Sequence, residues 1–221
     1  TNGKILMSIM NHTVFESFVM NSRNQFEKEE YERILGKIKC VHRDKENEFE
    51  IIHVFNGHRR DAYNGYAVQS IIKLKNILLY FIDKFDGVFF TMMNKLLFYT
   101  DFYCYQIYGR GMSGLAYKAI KHGPVPVRWD RIYSFYNDID QEIVHYESGA
   151  EGTKLVSRLL PDLSLFSDEE IHVLETISQR FKTDNSTQVS EISHKEKAWQ
   201  EYVDSGHLID FAMAFDLKAL E

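Results

Sequence analysis

A chain of 221 residues with 44% apolar and 14% aromatic side chains is long enough to bury a sizeable core, as one large domain or two small ones. No apolar run reaches bilayer length, because Lys73, Lys75, Asp83, Lys84 and Asp86 interrupt the richest region; nothing at the start resembles a signal peptide, and Cys40 and Cys104 make no disulfide framework, so a cytoplasmic protein with no membrane partner is expected. The net charge of −6 is uneven, with 19 Lys+Arg against 14 Asp+Glu over residues 1–137 but 7 against 18 over residues 138–221, which disfavours nucleic acid and suits a basic protein partner.

Residues 1–65 read as a helical and extended segment. Apolar Ile5, Ile9, Phe15 and Val19 outline an amphipathic helix over 4–20. Residues 28–39 make a better one, with Tyr31, Ile34, Leu35 and Ile38 on a shared face and acids preceding bases. Phe49–Phe55 reads as a strand between polar stretches that carry the turn signals Asn56-Gly57 and Asn64-Gly65. Cys40, His42, His53 and His58 are zinc-type residues, but their spacing lacks the paired CxxC or HxxxH of strong zinc motifs, and no metal or other cofactor is expected.

A helix is predicted over Ala67–Phe85, with Val68, Ile71, Ile72, Leu78, Leu79 and Ile82 as its apolar face and Asp86-Gly87 as its end. The next helix, Met92–Tyr108, organises the chain. Six of the eleven residues from Phe98 to Tyr108 are aromatic, too many for a helix with one buried stripe, so it should be buried on nearly every side. Thr91 can cap its start, and Gly109 with Gly111 ends it. Leu115, Tyr117 and Ile120 read as extended, and His122-Gly123-Pro124-Val125-Pro126 as a turn, since each proline fixes φ and pushes its predecessor out of the helical region.

Trp129–Asn137 is predicted as a short helix carrying Ile132, Tyr133 and Tyr136. Ile143–Tyr146 and Lys154–Leu159 are predicted as the two strands of a hairpin about Ser148–Gly152, ended by Pro161. Ser167-Asp168-Glu169-Glu170 is a capping box that opens a helix through Phe181. A polar loop over Lys182–Thr187 leads to Val189–His194 and then to a helix with Ala198 and Trp199.

Lys95-Leu96-Leu97-Phe98-Tyr99, Asp101, the corner Tyr108-Gly109-Arg110, the segment Gly114–Tyr117 and Lys121-His122-Gly123-Pro124-Val125-Pro126 occur in that order at tight spacing. Together they resemble the SocA-like Panacea domain, found in antitoxins of bacterial toxin-antitoxin pairs and in phage-associated proteins. The pair Ser193-His194 followed by an acid and Trp199, and the closing segment Leu208–Ala212, are similar to later parts of that family, so the resemblance spans about residues 66–216. It implies a domain over 66–221 and an antitoxin that binds and neutralises a cognate toxin protein. Two alternatives stay open: a transcriptional regulator whose DNA-binding part lies upstream of Thr1, and an adaptor that presents a partner to a protease. The chain opens on Thr rather than Met, so it is expected to be a piece of something longer, and a homodimer is left open.

Among the residues that carry the resemblance, Lys95, Asp101, Gly109, Arg110, His122, Gly123, Pro124, Pro126, His194 and Trp199 are expected to be structural. The polar ones are read as an internal network, because an unpaired buried charge costs several kcal/mol. Contacts to a partner are expected among exposed aromatics, with Tyr103, Tyr105, Trp129 and Tyr136 as candidates. No enzyme is expected: Cys104 lies within an apolar helix, His194 is placed near a helix start, and no nucleophile elbow, P-loop, GxGxxG or HExxH is present. The expected fold is α+β, mainly α, with a small antiparallel β-hairpin, preceded by an N-terminal helical and extended segment.

Overall fold

The computed structural model describes residues 18–35, 50–55, 57, 60–146 and 149–220. The chain falls into two units, Thr1–Glu50 and Ile51–Glu221. In the first, residues 28–35 are helical as their periodicity predicts, and the Arg23 guanidinium sits 5.5 Å from the centre of the Tyr31 ring. Of the helix expected over 4–20, residues 18–20 lie among the described residues, and these are helical.

The second unit begins with a correction. Residues 51–54 form a helical turn, not a strand, with the Phe55 amide donating to the Ile51 carbonyl at 2.7 Å. Ile51, Val54 and Phe55 face the core at helical spacing while Ile52 is exposed, so the same apolar letters serve a period of 3.6 rather than 2.

Helix α1 spans Ile71–Lys84, starting four residues later than predicted. Ser70 is its N-cap, its hydroxyl accepting from the Lys73 amide, and Val68 and Gln69, outside the helix, lie against Gly114. Its buried face is Leu74, Ile77, Leu78 and Phe81; Val68 and Ile72, expected there, are exposed. Asp86 and Gly87 turn the chain through positive φ, and strand β1, Val88–Phe89, leads directly into helix α2, Phe90–Tyr108. Thr91 therefore lies inside α2 rather than capping it. The helix is buried on nearly all sides from Met92 to Cys104, as its aromatic density requires.

Gly109 ends α2 in the left-handed conformation, its amide donating to the Tyr105 carbonyl. Strands β2, Tyr117–Ile120, and β3, Gly123–Pro126, follow as an antiparallel pair with register Ile120↔Gly123 and Tyr117↔Pro126. The Gly-Pro-Val-Pro segment is thus a strand, and the turn is the two residues Lys121-His122 before it. Counting from that turn, Pro124 and Pro126 take the positions that exchange no ladder hydrogen bonds, so their missing N–H groups weaken nothing. The Val127 amide, donating to the Ala116 carbonyl at 2.9 Å, continues the alternation.

Helix α3, Trp129–Phe135, precedes strands β4, Asp140–His145, and β5, Glu151–Val156, which form the predicted hairpin with shifted ends; β1 adds a third strand in the order β1-β5-β4. Helix α4, Asp168–Arg180, opens on the Ser167–Glu170 capping box. Helix α5, Ser186–Ser193, opens on a second one, Asn185–Gln188, inside what reads as a polar loop. Helix α6, Lys197–Tyr202, and a 3-10 segment, Phe211–Asp216, complete the unit. Helices α4 and α5, strand β3 and the 3-10 segment all pack on α2. The fold is mainly helical α+β with small antiparallel sheets. Among the described residues, no helix is long and apolar enough to cross a membrane.

Candidate functional site

One base and one acid of α2, Lys95 and Asp101, are wholly buried, and their surroundings are opposite in kind. Asp101 is 0% exposed and accepts four hydrogen bonds. The Met112 and Ser113 amides donate to Oδ1 at 2.7 Å each, and the Ser113 and Tyr117 hydroxyls donate to Oδ2, the latter at 2.6 Å. Burial pushes the carboxyl up, and these donors pull it back. Asp101 thereby ties the end of α2 to the Gly111–Leu115 corner and to β2, a structural role.

Lys95 is also 0% exposed, and its Nζ has no hydrogen-bond partner among the described residues. Desolvation alone lowers its pKa to about 7. Its neighbours come from β3 and α5. A Cβ at Gly123 would overlap Lys95 Cε and lie 2.6 Å from Ser193 Oγ and 2.9 Å from Lys95 Nζ, while the backbone there has φ +106°. Only glycine fits that position, because the lysine stem passes against it. Ser193 is 0% exposed, and its hydroxyl donates to the Ser190 carbonyl at 2.8 Å.

Next to Ser193, His194 is the C-cap of α5 and lies three residues before the start of α6. Its ring stacks on Trp199 at 4.1 Å and 23°, and its Nε2 is buried without a partner among the described residues. Burial lowers its pKa, the nearby Lys95 and His122 lower it further, and Glu191 opposes them. Trp199 donates from Nε1 to the Ile120 carbonyl at 2.8 Å, which fastens α6 to the end of β2. His122 is exposed in the two-residue turn. Residues 95, 122–123, 193–194 and 199, far apart in sequence, thus meet at one junction of α2, the β2–β3 hairpin, α5 and α6.

Arg110 belongs to neither centre. Its Nη2 lies 3.4 Å from Glu169 Oε2, and both side chains are more than half exposed, so the pair contributes little. The single internal network expected of Lys95, Asp101, Arg110 and His122 is therefore two separate buried centres and two exposed side chains.

Of the partner-contact candidates, Tyr103, Tyr105 and Trp129 are half-buried. Tyr105 packs between Phe211 and Phe215, at 5.6 and 5.9 Å, and Trp129 packs edge-on against Phe90 at 6.2 Å. Tyr136 is not an exposed aromatic: it is 7% exposed, and its hydroxyl donates to the Ile71 carbonyl at 2.9 Å. Exposed apolar side chains outside the candidate set include Tyr66, Leu160 and Phe215. Tyr66 also holds a left-handed backbone at φ 55°, a conformation that no local pattern signals for tyrosine.

Cys104 is 0% exposed, and burial pushes its thiol up to about 12, which keeps it protonated. Among the described residues, no group of three or more His, Cys, Asp or Glu side chains could hold a metal ion. His53 lies on the 51–54 turn beside Phe135, whereas Cys40, His42 and His58 lie outside the described residues.

Residues 93–200 match the family described as antitoxin SocA-like, Panacea domain. The match runs from the first turn of α2 into α6, so it contains both buried centres, and it is shorter than the 66–216 that the sequence resemblance spans. No curated protein and no solved structure matches the chain.

Proposed function

From the match of residues 93–200 to the SocA-like Panacea family, we propose that the protein is an antitoxin that binds a cognate toxin protein and neutralises it by occlusion, without chemistry of its own. The family match is the observation that carries this reading. The charge balance agrees with it, since the 18 Asp+Glu against 7 Lys+Arg of residues 138–221 suit a basic partner. Both Cys104, held as a protonated buried thiol, and Asp101, consumed by four donors, have ordinary structural roles.

Stable neutralisation needs an interface of about 1,600 Å² centred on a few well-packed anchors, commonly aromatic. Tyr103, Tyr105 and Trp129 are the anchors we propose, joined by Phe215, which is 65% exposed beside Tyr105. A cytoplasmic setting follows from the same reading.

The test is co-purification of this chain with the product of the gene beside its own. A complex that survives size-exclusion chromatography and weakens on Phe215→Glu supports the reading. Two separate peaks at micromolar concentration contradict it for this protein.

A further inference from the structure

The Lys95 junction has one property that packing does not explain. A buried amine without an acceptor is among the most unfavourable groups a core can hold, and a hydrocarbon side chain of the same length would avoid the penalty. The carboxyl-terminal end of α5 offers the amine some dipole compensation. It offers no acceptor within hydrogen-bonding distance among the described residues.

The unspent capacity at the junction is of one kind. When charged, Lys95 Nζ has three N–H donors and no lone pair to accept with, and His194 Nε2 can donate; both are buried and unpartnered. Of the flanking side chains, Lys121, His122 and Lys195 are basic and exposed, and Glu191 is the exposed acid beside His194. The acid Glu196 is committed elsewhere, accepting from the Lys218 and Ala219 amides at 2.9 Å. Lys95 would repel a metal cation, and an apolar ligand would leave both nitrogens unsatisfied.

We propose that Lys95 and His194 form a binding site for a small oxyanion, a carboxylate or a phosphate, at the junction of α2, β3 and α5. The anion accepts from both nitrogens, so each charge-assisted hydrogen bond replaces an unmade one. Bound anion holds Lys95 in its protonated form. Gly123 lets the lysine stem pass directly against the backbone of β3, where any side chain would collide with it. This site is independent of the toxin reading and stands or falls by itself.

The full chain is compared in chloride, phosphate and acetate at a matched ionic strength near 0.15 M. Two readouts are followed: the thermal midpoint, and the ε-carbon resonance of Lys95 in protein carrying 13C-labelled lysine. The site predicts a saturable rise in midpoint and a shift of the Lys95 resonance toward its protonated position. Lys95→Met should weaken the midpoint response at least about tenfold in apparent affinity. A response to phosphate alone identifies a phosphoryl ligand, and a response to acetate as well identifies a carboxylate. No saturable response in the wild type, or an equal midpoint response in Lys95→Met, overturns the proposal. Should Lys95→Met fail to fold, the wild-type resonance decides: movement with anion supports the site, and no movement overturns it.

Discussion

Lys95 and Asp101 stand six positions apart on α2, both wholly buried, yet Asp101 accepts from four donors while Lys95 Nζ meets no acceptor among the described residues. Six residues turn a helix through roughly 240° beyond one full revolution, so the two side chains face different neighbours. Asp101 meets the corner after the helix, where backbone amides are free to donate. Lys95 meets β3 and the end of α5.

Lys95→Met tests what the unsatisfied amine costs. Burial lowers the Lys95 pKa in the folded chain from the ordinary 10.5 to about 7. Between these values the unfolded chain binds a proton that the folded chain does not, so wild-type stability rises with pH, by up to about 1.4 kcal/mol per unit. Below about 7 both states are protonated and the penalty is at its full size. Above 9 the buried Cys104 thiol acts in the opposite sense, because the folded chain keeps a proton that the unfolded chain loses. Urea unfolding between pH 6 and 9 should show Lys95→Met more stable than the wild type at pH 6, with the gap closing toward pH 9. A less stable variant at pH 6 would contradict this account.

Asp101 should behave as a fold-determining group. Asp101→Asn keeps the shape but turns one acceptor into a donor facing other donors, and a loss of about 3–5 kcal/mol is expected. Tyr117→Phe removes one of the four bonds and should cost about 1–2 kcal/mol. Chemical unfolding of both variants checks the order. Equal losses would mean that the carboxylate charge adds nothing beyond the Tyr117 bond.

Gly123→Ala combines a strained backbone with a collision. The added methyl overlaps Lys95 Cε and approaches Ser193 Oγ at a φ of +106°, so a loss of about 2–4 kcal/mol is expected. Lys95→Ala removes the collision with the lysine stem but leaves the strain and the approach to Ser193 Oγ. A double-mutant cycle should therefore show about 1 kcal/mol of coupling or more; strict additivity would place the lysine away from Gly123.

Trp199→Phe keeps an aromatic ring against His194 but removes the donor to the Ile120 carbonyl. A loss of about 1–2 kcal/mol is expected, together with faster amide exchange in β2 and β3 relative to α2. Unchanged exchange in the hairpin would show that α6 does not hold it.

Elements governed by local chemistry were legible in the sequence. The Ser167–Glu170 capping box, the aromatic α2 and its Gly109 stop follow from capping rules and residue density. The errors arose where tertiary context chose between equivalent local patterns. Ile51, Val54 and Phe55 fit both a strand and a helical turn, and the buried face selected the turn. The prolines of Gly123–Pro126 signalled a turn, yet alternate spacing lets them occupy the positions of β3 that make no ladder bonds. The convergence at Lys95 was hidden for a different reason. Its residues are contributed by segments up to a hundred positions apart, and whether a buried charge finds a partner is decided only when those segments meet.

The most direct test of the antitoxin reading is growth. The product of the neighbouring gene is expressed alone and together with this chain, and cell density is followed after induction. The account predicts arrest by the neighbour alone and restored growth with the wild-type chain, with restoration impaired by Phe215→Glu at equal protein level. Arrest that this chain does not relieve would contradict it.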